Sequence, residues 1–139
     1  MTRVDFYVLA SGDESDRLRT ACRITEKAWQ QGHDVYLSTT DPAQAALMDD
    51  LLWTFKQASF VPHTRKARVG SIREVAIGTV ELVPHGGVHV NVAEVPLPLP
   101  LSAERVAEII PASAAGRDAG RARFRAYREA GYELTTHNI

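Results

Sequence analysis

The sequence predicts an α/β protein built on a parallel sheet, and three observations predict it. Val4-Asp-Phe-Tyr-Val-Leu9 and His33-Asp-Val-Tyr-Leu-Ser38 are short runs rich in β-branched and aromatic residues. Each is followed by a stretch with apolar residues at three- and four-residue spacing. The connections between them are short, as in chained strand-helix-strand units.

The elements follow in order. The Val4–Leu9 run reads as a largely buried strand. Ser11-Gly-Asp-Glu-Ser-Asp16 offers several N-capping side chains. The helix after it carries Leu18, Ala21, Cys22, Thr25, Ala28 and Trp29 on one face, and Gln30-Gln-Gly32 ends it with a glycine stop. A second strand, His33–Ser38, leads to Thr40-Asp-Pro42, which opens a helix with proline at its first position and runs to about Leu52 or Trp53. Phe55 to Arg73 reads as mostly irregular. Glu74–Val83 and Val88–Val95 read as strands separated by the turn Pro84-His-Gly-Gly87. Pro96-Leu-Pro-Leu-Pro100 donates few backbone hydrogen bonds and reads as a stiff connector. Ala103 to about Glu108 is expected to be a short helix, ahead of Ile109-Ile-Pro111 and a C-terminal helix.

The chain has 139 residues, 45% hydrophobic and 24% charged, which suits a single domain spanning 1–139 with one core. No stretch approaches the length of a membrane span, and no signal-peptide layout opens the chain, so a cytoplasmic location is expected. The net charge of −1 argues against a general nucleic-acid binder. Cys22 is the single cysteine, which excludes an intrachain disulfide and a cysteine metal cluster; it reads as a small buried hydrophobe.

Little in the chain looks catalytic. The turn after the first strand, Ala10-Ser-Gly-Asp-Glu, has one glycine and two carboxylates where a phosphate-binding fingerprint would need several glycines. Those carboxylates occupy the helix end that would attract an anion. His85 and His89 form the one close histidine pair, without the further ligands that zinc requires. No nucleophile sits in an activating context. No cofactor or metal is therefore expected.

Two features remain. Trp53-Thr-Phe55 followed by Ser59-Phe-Val-Pro-His63 is either a set of core plugs beneath a loop or an exposed binding patch. The second feature lies between Gly116 and Gly131. On a helical wheel Arg117, Arg121, Phe124, Arg125 and Arg128 share one face, while Ala119, Ala122, Ala126 and Ala130 collect opposite. The alanines are expected to lie against the core, with a cationic stripe and an aromatic platform facing out. This stripe is either a solvated surface or a site for an acidic partner. Arg forks pair with carboxylates, and the ring can hold an apolar side chain.

Phe6-Tyr-Val-Leu9, Leu52-Trp53, Ser59-Phe-Val-Pro-His63 and Arg121-Ala-Arg-Phe-Arg-Ala-Tyr-Arg-Glu-Ala-Gly-Tyr132, in this order and spacing, make the chain resemble the chi subunit family of bacterial DNA polymerase III. The resemblance implies a Rossmann-like three-layer fold with a mostly parallel sheet and no functional nucleotide site. It implies a non-catalytic adaptor of the clamp loader. Trp53, Phe60, Val61 and Pro62 match the family's segment for contacting the psi subunit. Ile110, Arg117, Arg121, Phe124 and Arg125 match its site for the acidic, Phe-terminated tail of single-stranded DNA-binding protein, with Arg128 on the same face. Arg stands at 117 and 125 where Lys can occur, and Phe124 replaces a Tyr, which keeps charge and ring but loses a phenol hydroxyl. DNA would be met only indirectly. Residues 64–94 resemble the family poorly. The rival readings are a small nucleotide-binding α/β protein and a direct binder of single-stranded DNA.

Overall fold

The computed structural model of the chain describes residues 2–54, 63–64, 75–80 and 86–139. Its elements are β1 (Arg3–Val8), α1 (Glu14–Gln30), β2 (Val35–Thr39), α2 (Pro42–Thr54), β3 (His63–Thr64), β4 (Val75–Thr79), β5 (Val88–Asn91), β6 (Arg105–Ile110), α3 (Ala114–Glu129) and β7 (Glu133–Asn138). Among the described residues the strands form one sheet in the order β3-β4-β2-β5-β6-β1-β7, and every pairing is parallel.

A parallel sheet needs both faces covered, and the two faces are covered differently. On one side Leu18, Ala21 and Cys22 of α1 and Met48 and Leu52 of α2 pack on Val35, Leu37, Ile77, Val90 and Ile109 of the strands. On the other side Tyr127 of α3 and Leu97 and Ala103 of the connector pack on Val4, Phe6, Val106 and Ile110. The result is the expected three-layer, Rossmann-like α/β fold.

The first half of the chain follows its sequence pattern closely. Asp13 caps α1, accepting a hydrogen bond from the Ser15 backbone N–H at 3.0 Å, and Gly32 ends the turn at φ 94°. Cys22 is fully buried, and burial pushes its thiol up to about 12.

Four expectations are corrected. The region 103–108 is not a helix: Arg105–Ile110 is strand β6, in the middle of the sheet. Its Ala, Glu and Arg residues favour a helix locally, but its two parallel neighbours and nearly complete burial outweigh that weak preference. The strands expected over 74–83 and 88–95 are shorter, β4 at Val75–Thr79 and β5 at Val88–Asn91, and β2 lies between them in the sheet. β7 was not anticipated. It sits at the sheet edge beside β1, where polar Glu133, Thr135 and Thr136 break the strand's apolar signature. The 55–73 segment lies mostly outside the described residues, and within it His63–Thr64 pairs with β4.

The fourth correction concerns α3. Gly116, Gly120, Arg123 and Tyr127 are its buried residues, whereas Ala122 and Ala130 are exposed. Glycine brings the helix closer to the sheet than alanine could. A Cβ on Gly120 would lie 2.7 Å from Cδ1 of Ile110, and one on Gly116 would collide with the Pro111 ring. Arg123 is tolerated inside because Glu108 of β6 faces it, with Nε donating to Oε1 at 2.9 Å.

Candidate functional site

β1 and β6 are neighbours whose following chain segments run to opposite faces of the sheet, β1 into α1 and β6 into α3. In open α/β sheets such a switch point is where ligands usually bind. Here the two segments close on each other. The Ala112 N–H donates to the Ser11 carbonyl at 2.9 Å, and Gly12 packs on Ser113. Each helix N-terminus carries its own cap, Asp13 for α1 and Ser113, which accepts from Gly116 N–H at 3.1 Å, for α3. The arrangement gives a nucleotide phosphate no free helix end at this point.

The open surface lies one step away, beside α3. A hollow of about 190 Å³ is lined by Phe6, Val8, Ile110, Arg117, Gly120, Arg121, Phe124 and Thr136. Its floor consists of alternate β1 residues, Phe6 and Val8, and of Ile110 at the end of β6. Its wall is one side of α3. Gly120 leaves room for Ile110, so the missing side chain shapes the hollow as much as those present.

Four residues singled out in the sequence meet here: Ile110, Arg117, Arg121 and Phe124. Ile110 is buried, Arg117 and Phe124 are half-buried, and Arg121 is exposed. Phe124 is not the exposed platform expected from the wheel. Its ring packs on Phe6 with centroids 5.1 Å apart, at 59°. The Arg128 guanidinium carbon stands 5.8 Å from the Phe124 centroid, so Arg128 shields the ring rather than lining the hollow. Arg125 is exposed further round the helix. Arg121 donates from Nη1 to Asp118 at 3.1 Å, an exposed pair of little energetic weight.

Phe6, Val8 and Thr136 are lining residues that sequence reasoning missed. The alternation along β1 was a usable signal, because it puts Phe6 and Val8 on one face. Thr136 had no signal, since β7 itself was not anticipated. Trp53 falls on α2, and nothing of its side chain is described; Phe60, Val61 and Pro62 lie outside the described residues.

Behind the hollow a buried polar network holds α3 in register. Glu108 is fully buried and accepts from Arg123 Nε, Asn91 Nδ2 and the Tyr127 hydroxyl at 2.9, 2.9 and 2.7 Å. Asn91 accepts in turn from Ser38 at 2.7 Å. Burial pushes the Glu108 carboxyl up, against the pull of Arg123, Asn91 and Tyr127. The same burial and the adjacent carboxylate push the Tyr127 hydroxyl up, which keeps it a donor.

The family model described as "DNA polymerase III chi subunit, HolC" matches residues 1–135. This chain belongs to the DNA polymerase III chi subunit family. Its similarity to the "DNA polymerase III subunit chi" of Pseudomonas aeruginosa is 44% identity, covering 100% of this chain and 98% of that protein. The Escherichia coli subunit of the same name is 26% identical over 98% of this chain and 97% of its own length. The Haemophilus influenzae subunit is 23% identical over 96% and 95%. Membership in the chi family makes the chain a replication accessory subunit. Among the described residues, no helix is long and apolar enough to cross a membrane, and no group of three or more His, Cys, Asp or Glu could hold a metal ion.

Proposed function

We propose that this chi-family subunit is a non-catalytic adaptor that binds the acidic, Phe-terminated tail of single-stranded DNA-binding protein in the α3 hollow. On this reading it joins that protein to the clamp loader through psi, with Trp53, Phe60, Val61 and Pro62 contacting psi. One observation carries the tail-binding half. An apolar hollow floored by Phe6, Val8 and Ile110 has Arg117 and Arg121, one helical turn apart, standing over it. An aromatic side chain suits the floor, and the tail's aspartates and terminal carboxylate suit the two guanidinium groups.

Arg117, half out of water, has the stronger charge-assisted role. Arg121, exposed and paired to Asp118, contributes mostly long-range attraction that salt screens. Affinity for a single tail is therefore modest, and several tails on one partner oligomer raise it by multivalency.

The test is a fluorescence-anisotropy titration with an acidic peptide ending in phenylalanine and with the same peptide lacking that residue. Saturable binding that falls on truncation is the expected result. Arg121→Ala should weaken it about fivefold, about 1 kcal/mol at low salt. Equal affinity for both peptides would remove the hollow from the reading.

A further inference from the structure

A second, larger hollow lies on the opposite side of the same two strands. It has a volume of about 340 Å³ and is bounded by the C-terminal half of α1, by β1 and β6, and by Ile139. α1 packs mainly over β2, β5 and β6, and the hollow lies beside the helix, towards β1 and Ile139. Asp5 and Tyr7 of β1 face this side, whereas Phe6 and Val8 face α3.

Its layout repeats that of the α3 hollow. Two exposed cations one helical turn apart, Arg23 and Lys27, stand at the rim, and the lining below them combines apolar Ile24, Ala107 and Ile139 with polar Thr20, Gln31 and His33. Ile139 is 56% exposed, a large apolar side chain left open at the edge. One side-chain carboxylate, Asp5, lies in the lining, and its oxygens are already engaged. Oδ1 meets His137 Nε2 at 3.0 Å and Arg3 at 3.5 Å, and Oδ2 accepts from Arg105 at 2.9 Å. An incoming anion therefore meets the excess positive charge of Arg23 and Lys27 rather than a bare side-chain carboxylate.

The occupant can be narrowed by geometry. Neighbouring side chains one helical turn apart stand about 6 Å apart. Carboxylates two residues apart in an extended peptide are about 7 Å apart, on the same side of the strand. Tyr7 is a wall and not a platform for a nucleobase, because its ring is stacked on His137 with centroids 4.9 Å apart at 19°. Charge complementarity and the apolar part of the lining together fit an acidic peptide with a hydrophobic anchor.

We infer that the hollow beneath Arg23 and Lys27 is a second docking site for an acidic peptide carrying an apolar side chain. In its choice of peptide class the inference rests on the reading given for α3. Two such sites on opposite faces would let one subunit hold two tails of the same partner oligomer, or two neighbouring oligomers.

The test is isothermal titration of the full chain, at low salt, with the Phe-terminated acidic peptide. Four proteins are compared: the unchanged chain, Arg121→Ala, the double variant Arg23→Ala/Lys27→Ala, and the triple variant. All three positions are exposed, so thermal melting should confirm an intact fold in each. The expected stoichiometry approaches two peptides in the unchanged chain. Each of the first two variants should weaken one component at least fivefold, and the triple variant both. A single site weakened about fivefold in Arg121→Ala and untouched in the double variant overturns this inference and leaves the α3 reading standing. A single site lost only in the double variant does the reverse for the α3 reading. Displacement of the peptide from Arg23 and Lys27 by an equal concentration of oligothymidylate would reassign the hollow to nucleic acid and overturn the peptide assignment.

Discussion

The two faces of the sheet are built on different principles. The face under α1 and α2 is mainly aliphatic: Val35, Leu37, Val75, Ile77, Val88, Val90, Ala107 and Ile109 meet Leu18, Ala21, Cys22, Met48 and Leu52, and Arg17 of α1 is buried with Glu14 and the Val92 carbonyl as partners. The face under α3 and the proline-rich connector buries Ser38, His89, Asn91, Glu108 and Arg123 among its apolar residues. Aliphatic packing is nondirectional and tolerates small adjustments. A hydrogen-bonded ionic network is directional and admits one arrangement. The difference teaches that the face under α1 and α2 is held by area. The face carrying the α3 hollow is held by geometry. The network's role in fixing α3 follows the use of buried polar groups to set register, at a cost in stability.

The largest effect should come from breaking the network on one side only. Arg123→Ala leaves Glu108 buried without its cation and should cost about 3–5 kcal/mol, measured by urea unfolding. The charge-free pair Glu108→Leu/Arg123→Met should recover much of that loss. If the α3 face were held by area like its opposite, the pair would cost as much as the two single changes together.

Leu18→Ala, on the aliphatic face, should cost about 2–5 kcal/mol through the cavity it leaves. It should leave the affinity of the α3 hollow for an acidic peptide unchanged, because it touches no residue that sets the position of α3. A matching loss of affinity would erase the functional side of the comparison.

The pH dependence of stability should also come from the polar face. Burial pushes His89 down to about 4, so as pH falls below about 6.5 the unfolded chain takes up a proton that the folded chain refuses. The unfolded state thus binds more protons across that window, and stability is lost as pH falls from about 6.5 to about 4, by about 3 kcal/mol. His89→Phe should flatten this limb in equilibrium unfolding measured at several pH values. At lower pH, Asp5 takes over. Burial opposes its ionisation, but hydrogen bonds from His137 and Arg105 and the charges of Arg105 and Arg3 outweigh burial and hold the carboxyl below its usual value. Its contribution is present above the ordinary carboxylate value and is lost as pH falls through the depressed one.

Gly120→Ala brings a methyl group against Ile110. Crowding costs about 1–3 kcal/mol and the gain in helix preference returns about 1, so a net loss of roughly 1 kcal/mol is expected. Because the same contact shapes the hollow, peptide affinity should fall with it. Asp118→Ala should do least to stability, within about 0.5 kcal/mol, since its pair with Arg121 is fully at the surface. It removes a negative charge beside the hollow, and peptide affinity should rise about twofold.

The sequence by itself was enough for the parallel α/β class, for the first strand-helix-strand-helix run and the capping segment 11–16 that contains Asp13, for the buried Cys22, and for the cationic stripe of α3. These depend on local periodicity, capping and turn chemistry, which the chain carries within a few residues. Only the tertiary structure decided that 105–110 is a central strand, that β7 exists, and that Gly116, Gly120, Arg123 and Tyr127 rather than the alanines face inward. The physical reason is common to all three. A strand in the sheet centre is stabilised by partners distant in the chain, and Arg123 becomes a core residue because Glu108, on another element, neutralises it. Ile110, Arg117, Arg121 and Phe124 could be named from the chain, but Phe6, Val8 and Thr136 complete the hollow from strands more than a hundred residues apart.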